Sequence, residues 1–145
     1  MLGLVQRVSS ASVSIDGKIQ GQIGQGLVLL LGVQKDDTRE NADKLLHRVL
    51  NYRLFSDSAS KMNLSVKDIN GGLLVISQFT LAADTNKGMR PSFSSAAAPI
   101  QAEALYDYFL ASAKTLHNDV GCGIFAADMQ VSLCNDGPVT FNLRG

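Results

Sequence analysis

The chain has 145 residues, a length typical of one domain, and its 46% of apolar residues is enough to build a substantial core. Thirteen basic and thirteen acidic residues cancel. This balance argues against a protein that holds long nucleic-acid duplexes, since such proteins need a strong positive excess, but it leaves contact with a short nucleic-acid end open. We therefore expect a single domain over residues 1–145.

The first part of the chain predicts three strands. The alternating stretch 5–15 predicts a strand, and Asp16-Gly17 then predicts a turn into a second strand over 18–23. The continuous apolar run GLVLLLGV, residues 26–33, predicts a central strand buried on both faces.

Two helices are predicted next. One residue within 36–38 caps the first helix. Its apolar face carries Leu45, Leu46, Val49 and Leu50. Pro99 fits the first turn of the second helix. Its residues at helical spacing are Leu105, Tyr108, Phe109, Ser112 and Leu116.

The remaining strands complete the predicted fold. LLVISQFTL, residues 73–81, predicts a buried strand that turns polar midway, and 124–133 with 139–143 predict a final hairpin around Asn-Asp-Gly-Pro. We therefore expect a mixed α/β fold. It would be a curved, largely antiparallel sheet or small barrel with two main helices packed outside, in a single domain.

Familiar catalytic and cofactor patterns do not occur in the sequence. His47 and His117 lie in predicted helices, where a structural role is the commoner one. There is no GxSxG, HExxH, P-loop or dinucleotide-binding glycine pattern, and no credible set of metal ligands. Cys122 and Cys134 lack a CxxC or metal-binding spacing and read as reduced thiols. We therefore expect no cofactor.

The N-terminal segment indicates a cytoplasmic protein. MLGLVQRVSS carries Gln6 and Arg7 where a signal peptide has its apolar stretch. No apolar run is long enough to span a bilayer. We therefore expect cytoplasmic localisation and no contact with a membrane.

Three polar segments remain as candidate sites. Ser77, Gln78 and Thr80 interrupt an apolar strand, so they either line a cavity or mark an exposed strand end. The loop TNKGMRPSF, residues 85–93, carries two cations that fit either a phosphate or plain solvent. Pro138 stands where a returning strand should donate a hydrogen bond, and proline has no N–H.

The blocks VQRV, SQFTLAAD, KGMRPSF and MQVSLCNDGPVTF follow in this order between residues 5 and 143. Together they resemble the D-aminoacyl-tRNA deacylases over almost the whole chain. The resemblance implies a homodimeric enzyme that hydrolyses the ester between a D-amino acid and the 3′-terminal adenosine of tRNA.

The same resemblance implies a site shared between two subunits. A segment of the SQFTL type meets a Gly-Pro dipeptide that has a cis peptide bond and comes from the partner subunit. In this chain the catalytic positions are Ser77, Gln78, Phe79, Thr80, Gly137 and Pro138. Arg7 is expected to fix the Gly-Pro segment. Substrate contacts are expected from Phe125 near the adenosine and from Met129, Lys87 and Arg90.

The sequence departs from the family pattern at three positions. Ala126 stands where glycine is common, Cys134 where an aliphatic residue is frequent, and Met89 where a basic or polar residue is common. The first departure is expected to narrow the adenosine site slightly, and the third removes a possible phosphate contact.

The implied site predicts selection by exclusion. An L side chain would run into the Gly137–Pro138 backbone, whereas a D side chain would point away from it. Many D-amino acids should then be accepted, and glycine, which has no side chain, should not be excluded.

The chemistry has two readings. In one, backbone N–H groups near Phe79 and Thr80 stabilise the oxyanion with help from the ribose 2′-hydroxyl. In the other, Thr80 is a direct nucleophile. Two other functions also stay open, a Ser/Thr hydrolase of small esters and a non-catalytic RNA-binding module of the same fold.

Overall fold

The structure, a computed structural model, describes residues 1–86 and 88–145. Its elements, in chain order, are β1 Leu2–Ile15, β2 Lys18–Ile23, β3 Gly26–Gly32, α1 Arg39–Asn51, β4 Phe55–Ser56, β5 Met62–Leu64, β6 Gly72–Ser77, the 3₁₀ turn Phe79–Ala82, α2 Pro99–Leu116, β7 Val120–Cys122 and β8 Gln130–Arg144. The strands β4 and β5 pair only with each other in the described part of the chain.

The main sheet is built around the long strand β1, which pairs antiparallel with β2, β3 and β8. On its other side β3 pairs in parallel with β6, and β6 in turn pairs in parallel with β7. The two ends of this sheet approach each other, because a Cβ on Gly21 of β2 would lie 3.0 Å from the backbone N and O of Cys122 in β7. The predicted mixed α/β fold with two main helices is confirmed, and its sheet is nearly closed and barrel-like.

The central strands separate two hydrophobic cores. Successive side chains of a strand point to opposite faces. The faces toward the helices carry Leu27, Leu29, Leu73 and Val75, and the faces toward the barrel interior carry Val28, Leu74 and Ile76. A strand buried on both faces is apolar throughout, which is why residues 26–33 were readable as a central strand.

The helices begin where the sequence predicted. Thr38 is the residue that caps α1, and its backbone N–H donates to Asn41 Oδ1 at 2.9 Å. α2 starts at Pro99. The apolar stripe predicted for α2 is partly wrong. Tyr108 is only half-buried and Leu116 is 56% exposed. The buried face is Ala102, Leu105, Tyr106, Phe109, Leu110 and Ala113. Within the described ranges, no helix combines the length and apolarity needed to cross a membrane.

The strand predicted over 73–81 is too long. β6 ends at Ser77, and the chain continues as the 3₁₀ turn. Backbone hydrogen bonds flank this turn, from the Leu81 N–H to the Gln78 carbonyl at 3.2 Å and from the Ala83 N–H to the Thr80 carbonyl at 3.1 Å. The polar residues therefore mark the end of the strand, one of the two readings that the sequence left open.

The predicted terminal hairpin is wrong. β8 is one continuous strand along β1, and residues 124–129 precede it as a loop. Gln6 pairs with Thr140 and Val8 pairs with Asn135, so residues 136–139 all stand opposite Arg7. The Asp-Gly-Pro-Val segment is thus a bulge that projects from a strand. A proline without an N–H is tolerated there because the bulged residues do not pair with β1.

Candidate active site

The SQFT segment lies at the carboxyl end of β6. Because β3, β6 and β7 are parallel, their carboxyl ends meet at one edge of the sheet, the edge at which open α/β sheets bind ligands. The Gln78 N–H donates to the Leu31 carbonyl at 2.8 Å. A Cβ on Gly32 would lie 2.9 Å from Leu81 Cβ and 3.2 Å from the Gln78 carbonyl oxygen. Glycine at this position therefore lets the 3₁₀ turn pack directly on the end of β3.

The side chains of this segment face outward to different degrees. Ser77 and Gln78 are half-buried, whereas Phe79 and Thr80 are exposed. Gln78 Nε2 donates a hydrogen bond of 2.6 Å to Thr80 Oγ1. Among the described residues, no histidine, lysine or carboxylate is hydrogen-bonded to that hydroxyl. Thr80 therefore has an orienting neighbour but no base that would activate it as a nucleophile.

Two backbone donors at the start of the 3₁₀ turn are free. The N–H groups of Phe79 and Thr80 have no acceptor within residues 1–86 and 88–145. The first N–H groups of any helical turn lack a partner inside that turn. Both donors belong to exposed residues, which makes them candidates to bind an oxygen atom of a substrate.

The Gly-Pro segment is exposed and held from one side. The peptide bond between Gly137 and Pro138 is cis, and Gly137 has φ 131°. The largely buried guanidinium of Arg7 donates from Nε to the Asp136 carbonyl at 2.9 Å and from Nη1 to the Leu54 carbonyl at 2.6 Å. Its Nε also lies 3.3 Å from Asp136 Oδ2. Arg7 thus ties the residue before Gly137 to the main body of the chain.

One chain does not bring these two segments together. Ser77 pairs with Leu31, and Leu31 pairs with Gly3. The Gly-Pro bulge instead stands opposite Arg7, four residues from Gly3 along β1, which is about 13 Å of strand. The bulge also lies on the opposite side of β1 from β3 and β6. Within one protomer, the predicted catalytic residues therefore form two separate groups.

Phe125 and Met129 lie near the carboxyl end of β6. Their loop follows β7, and its first residue donates from the Gly123 N–H to the Val75 carbonyl at 3.0 Å. The Phe125 ring packs on Tyr106 with 6.0 Å between ring centroids. The sulfur of Met129 occupies the space that a side chain on Gly123 would need. Both residues are half-buried and close to the SQFT edge.

Tyr106 is a residue near this edge that the sequence analysis missed. Its hydroxyl is buried and lies within hydrogen-bond distance of the carbonyls of Val75, at 3.1 Å, and Gly123, at 3.2 Å. Burial raises the pKa of the Tyr106 hydroxyl above its ordinary value, so it remains a hydrogen-bond donor at neutral pH. A tyrosine in an apolar helix stripe signals such a buried partner, but the partner itself is not visible in sequence.

The loop after the 3₁₀ turn carries Arg90, which is exposed. Lys87, the second predicted cation, lies outside the described residues. The loop is closed by a pair of backbone hydrogen bonds between Asp84 and Ser92, of 2.7 and 3.0 Å. The next residue, Phe93, packs on Phe79 with 5.0 Å between ring centroids. Sequence reasoning missed Phe93, because only the fold brings it to Phe79.

A cavity of about 560 Å³ lies elsewhere, between β1, β2 and β8, and none of the predicted site residues lines it. In the described part of the chain, no cluster of three or more His, Cys, Asp or Glu residues is placed to hold a metal ion. The predicted site is therefore an open sheet edge with backbone donors, and the described residues around it form no such metal-binding cluster.

Comparison with known proteins gives the family. Residues 4–144 match the sequence model of the family described as D-Tyr-tRNA(Tyr) deacylase. The chain is 65% identical over 143 residues to a D-aminoacyl-tRNA deacylase from Pseudoalteromonas translucida, with 99% of each chain covered. It is 61% identical over 144 residues to a protein of the same name from Cellvibrio japonicus, again with 99% coverage of each.

Two solved structures share the fold. A structure titled c-Myc DNA unwinding element binding protein superposes with a TM-score of 0.95 at 38% identity, covering 100% of this chain and 99% of that one. A probable eukaryotic D-amino acid tRNA deacylase superposes with a TM-score of 0.88 over 99% and 98% of the two chains, and at 15% identity it supports the fold alone. The chain belongs to the D-Tyr-tRNA(Tyr) deacylase family, and it is an enzyme of the hydrolase class.

Proposed function

We propose that this enzyme hydrolyses the ester bond between a D-amino acid and the 3′-terminal adenosine of tRNA, releasing the free amino acid and the tRNA. The observation that carries the proposal is the pair of free backbone N–H groups at Phe79 and Thr80, on an exposed turn of a chain that belongs to this family. Family membership also favours this reading over the non-catalytic RNA-binding module. With tRNA as the substrate, the enzyme would act in the cytoplasm.

The proposed chemistry uses the backbone. As water attacks the ester carbonyl, negative charge develops on its oxygen, and the N–H groups of Phe79 and Thr80 are the donors that stabilise it. The ribose 2′-hydroxyl of the substrate assists the attack. Thr80 is a positioning group in this scheme, because its hydroxyl accepts a hydrogen bond from Gln78 and no described base accepts its proton.

Chiral selection is proposed to come from a second copy of the chain. The Gly137–Pro138 bulge of one protomer would stand against the SQFT segment of the other and exclude an L side chain. Three features support this arrangement: the bulge is exposed, Arg7 holds it, and it lies far along β1 from its own SQFT segment.

The proposed homodimer would use the outer edge of β8. In the described ranges β8 pairs only with β1, so its other edge has no partner strand. Leu133 and Phe141 are exposed on this strand. A long exposed edge strand with apolar side chains is normally covered by another element. A second copy of the chain would cover this strand and bring the bulge to the neighbouring site.

Exclusion by a main-chain segment has a consequence for glycine. Selection acts on the position of the side chain, and glycine has none, so glycyl-tRNA would enter the site as a D-aminoacyl-tRNA does. The side chain of a D-amino acid would point away from the bulge. The enzyme would therefore hydrolyse many D-aminoacyl-tRNAs at similar rates.

The proposal is tested by comparing purified enzyme on matched D-tyrosyl-tRNA and L-tyrosyl-tRNA, with glycyl-tRNA as a third substrate. We expect hydrolysis of the D-ester and the glycyl ester and background rates on the L-ester. Equal rates on both tyrosyl esters would refute chiral selection. Faster hydrolysis of free D-tyrosine methyl ester than of D-tyrosyl-tRNA would instead identify a small-ester hydrolase.

A further inference from the structure

Two phenylalanine rings are exposed at the 3₁₀ turn, one within the turn and one in the loop that follows it. Phe79 is 58% exposed and Phe93 is 41% exposed, and the two rings pack at 49° to each other. Met89, in the loop between them, is fully exposed. Single exposed apolar residues are ordinary, but a group of large apolar side chains at one place marks a binding surface.

The position of Phe93 is fixed by hydrogen bonds on both sides. Ser92, just before it, forms the backbone bridge with Asp84. The Phe93 carbonyl accepts the Ala96 N–H at 3.0 Å. Ser95 Oγ then donates to the carbonyl of Ala82, the last residue of the 3₁₀ turn. The backbone at Phe93 is therefore held at a set place relative to the turn, and its ring packs on Phe79, as a recognition surface requires.

The same loop offers a positive charge. Arg90 is exposed three residues before Phe93. The nearby carboxylate of Asp84 accepts hydrogen bonds from the backbone and side-chain N–H groups of Asn86, at 3.0 and 2.7 Å. Aromatic faces next to a cation are the combination that binds single-stranded nucleic acid, since bases stack on the rings and the cation meets the phosphate.

We propose that Phe79 and Phe93 form a stacking surface for the unpaired nucleotide that precedes the terminal adenosine of tRNA, with Arg90 at its phosphate. This inference rests on the proposed function, because the ester must reach Thr80 while the preceding nucleotide lies on the adjoining rings. Phe79 adjoins Thr80 in the chain, so the surface is continuous with the proposed catalytic turn. It would let the enzyme distinguish a tRNA end from a free aminoacyl nucleoside.

A kinetic experiment compares Phe93→Leu with the wild-type enzyme on D-tyrosyl-tRNA and on 3′-O-D-tyrosyl-adenosine, which lacks the preceding nucleotide. We expect KM for the tRNA to rise about tenfold, the scale of one lost base stack, with kcat little changed. KM for the adenosine ester should not change. Phe93→Tyr keeps an aromatic face and should restore the wild-type KM.

A binding experiment uses the absence of tryptophan from the chain. Phe93→Trp introduces a single fluorophore on the proposed surface, and Ile100→Trp introduces one at another exposed position, at the start of α2. The tetranucleotide ACCA should quench the first variant and not the second. Adenosine monophosphate at the same concentration should quench neither.

Several results would overturn the inference. In the kinetic experiment these are an unchanged KM for the tRNA in Phe93→Leu or an equal rise in KM for both substrates. In the binding experiment, the contradicting result is equal quenching by ACCA and adenosine monophosphate. A change in the oligomeric mass of Phe93→Leu would also overturn the inference, because it would identify the rings as a contact between copies of the chain. If the wild-type enzyme hydrolyses neither substrate, the proposed function fails, and the quenching experiment still decides whether the rings stack a nucleotide.

Discussion

Thr80 is the residue at which the two catalytic mechanisms differ. Its hydroxyl accepts a hydrogen bond from Gln78 Nε2, and none of the described residues provides it with a base. We expect Thr80→Val, which removes the hydroxyl and keeps the shape, to lower kcat for D-tyrosyl-tRNA by about tenfold or less, the value of one hydrogen bond. A folded variant with no activity above background would instead identify Thr80 as the nucleophile.

The Phe79 N–H is the donor whose loss should be most costly. Phe79 is the first residue of the 3₁₀ turn, a position where proline is tolerated. A proline also disfavours the helical conformation in the residue before it, and Gln78, with φ −143° and ψ 81°, is not helical. Phe79→Pro should lower kcat about 10²–10³-fold relative to Phe79→Ala, which removes the same ring and keeps the N–H. Equal kcat in the two variants would contradict the backbone mechanism.

Ala126 occupies a position whose backbone conformation suits glycine. Its φ is +59°, a left-handed conformation that glycine adopts without a steric penalty. We expect Ala126→Gly to increase the free energy of unfolding by up to about 1 kcal/mol in urea titrations. Ala127 is not among the residues with positive φ, so Ala127→Gly should decrease stability instead. The same sign in both variants would contradict this explanation.

The sequence identified some site residues and missed others for a physical reason. Ser77, Gln78 and Thr80 were visible as polar groups that interrupt an apolar strand, and Pro138 was visible as a proline inside a strand pattern. Tyr106 and Phe93 were not visible, since their roles arise from contacts with Gly123 and Phe79 that only the fold creates. A local pattern predicts which groups are unusual, but it does not predict their neighbours.

The bulge in β8 depends on the hydrogen bonds from Arg7 to main-chain carbonyls more than on the ion pair between Arg7 and Asp136. Arg7 donates to two main-chain carbonyls, those of Asp136 and Leu54, whereas the Asp136 carboxylate is about half exposed. Arg7→Met leaves both carbonyls without their donor, so we expect a loss of about 1–3 kcal/mol of stability and a large loss of deacylase activity.

Asp136→Asn is the matched control for Arg7→Met. It keeps the backbone carbonyl that Arg7 contacts and removes only a surface charge, so its effect should stay below about 1 kcal/mol. Urea unfolding and D-tyrosyl-tRNA hydrolysis measure both variants. If Asp136→Asn is as damaging as Arg7→Met, the ion pair holds the bulge and the carbonyl contacts do not.

The strands show where local patterns stop being sufficient. β2 was predicted closely because the Asp16-Gly17 turn marks where it begins, and β3 because a continuous apolar run records burial on both faces. The terminal hairpin was wrong because a turn sequence and a bulge sequence look alike, and only the register of β8 against β1 distinguishes them. The strand predicted through Leu81 was wrong because polar residues at its end fit both an exposed strand and a 3₁₀ turn.

The proposed selection of D-amino acids requires a dimer of two chains. One protomer carries the SQFT turn at the carboxyl edge of β6 and the Gly-Pro bulge about 13 Å further along β1, on the other side of that strand. The whole enzyme would then be a two-fold dimer with two sites, each built from the turn of one chain and the bulge of the other. The purified enzyme should accordingly have twice the mass of one chain in light scattering.

Complementation between two inactive variants tests this claim most directly. Phe79→Pro disables the turn, and Gly137→Val disables the bulge, because a Cβ on Gly137 would lie 2.8 Å from Val139 Cγ2. Each variant alone should hydrolyse D-tyrosyl-tRNA poorly. After the two are unfolded and refolded together in equal amounts, activity should recover to about a quarter of wild type, the random-assortment value for a dimer with shared sites. Activity that remains at the average of the two parents would show that each site is built within one chain.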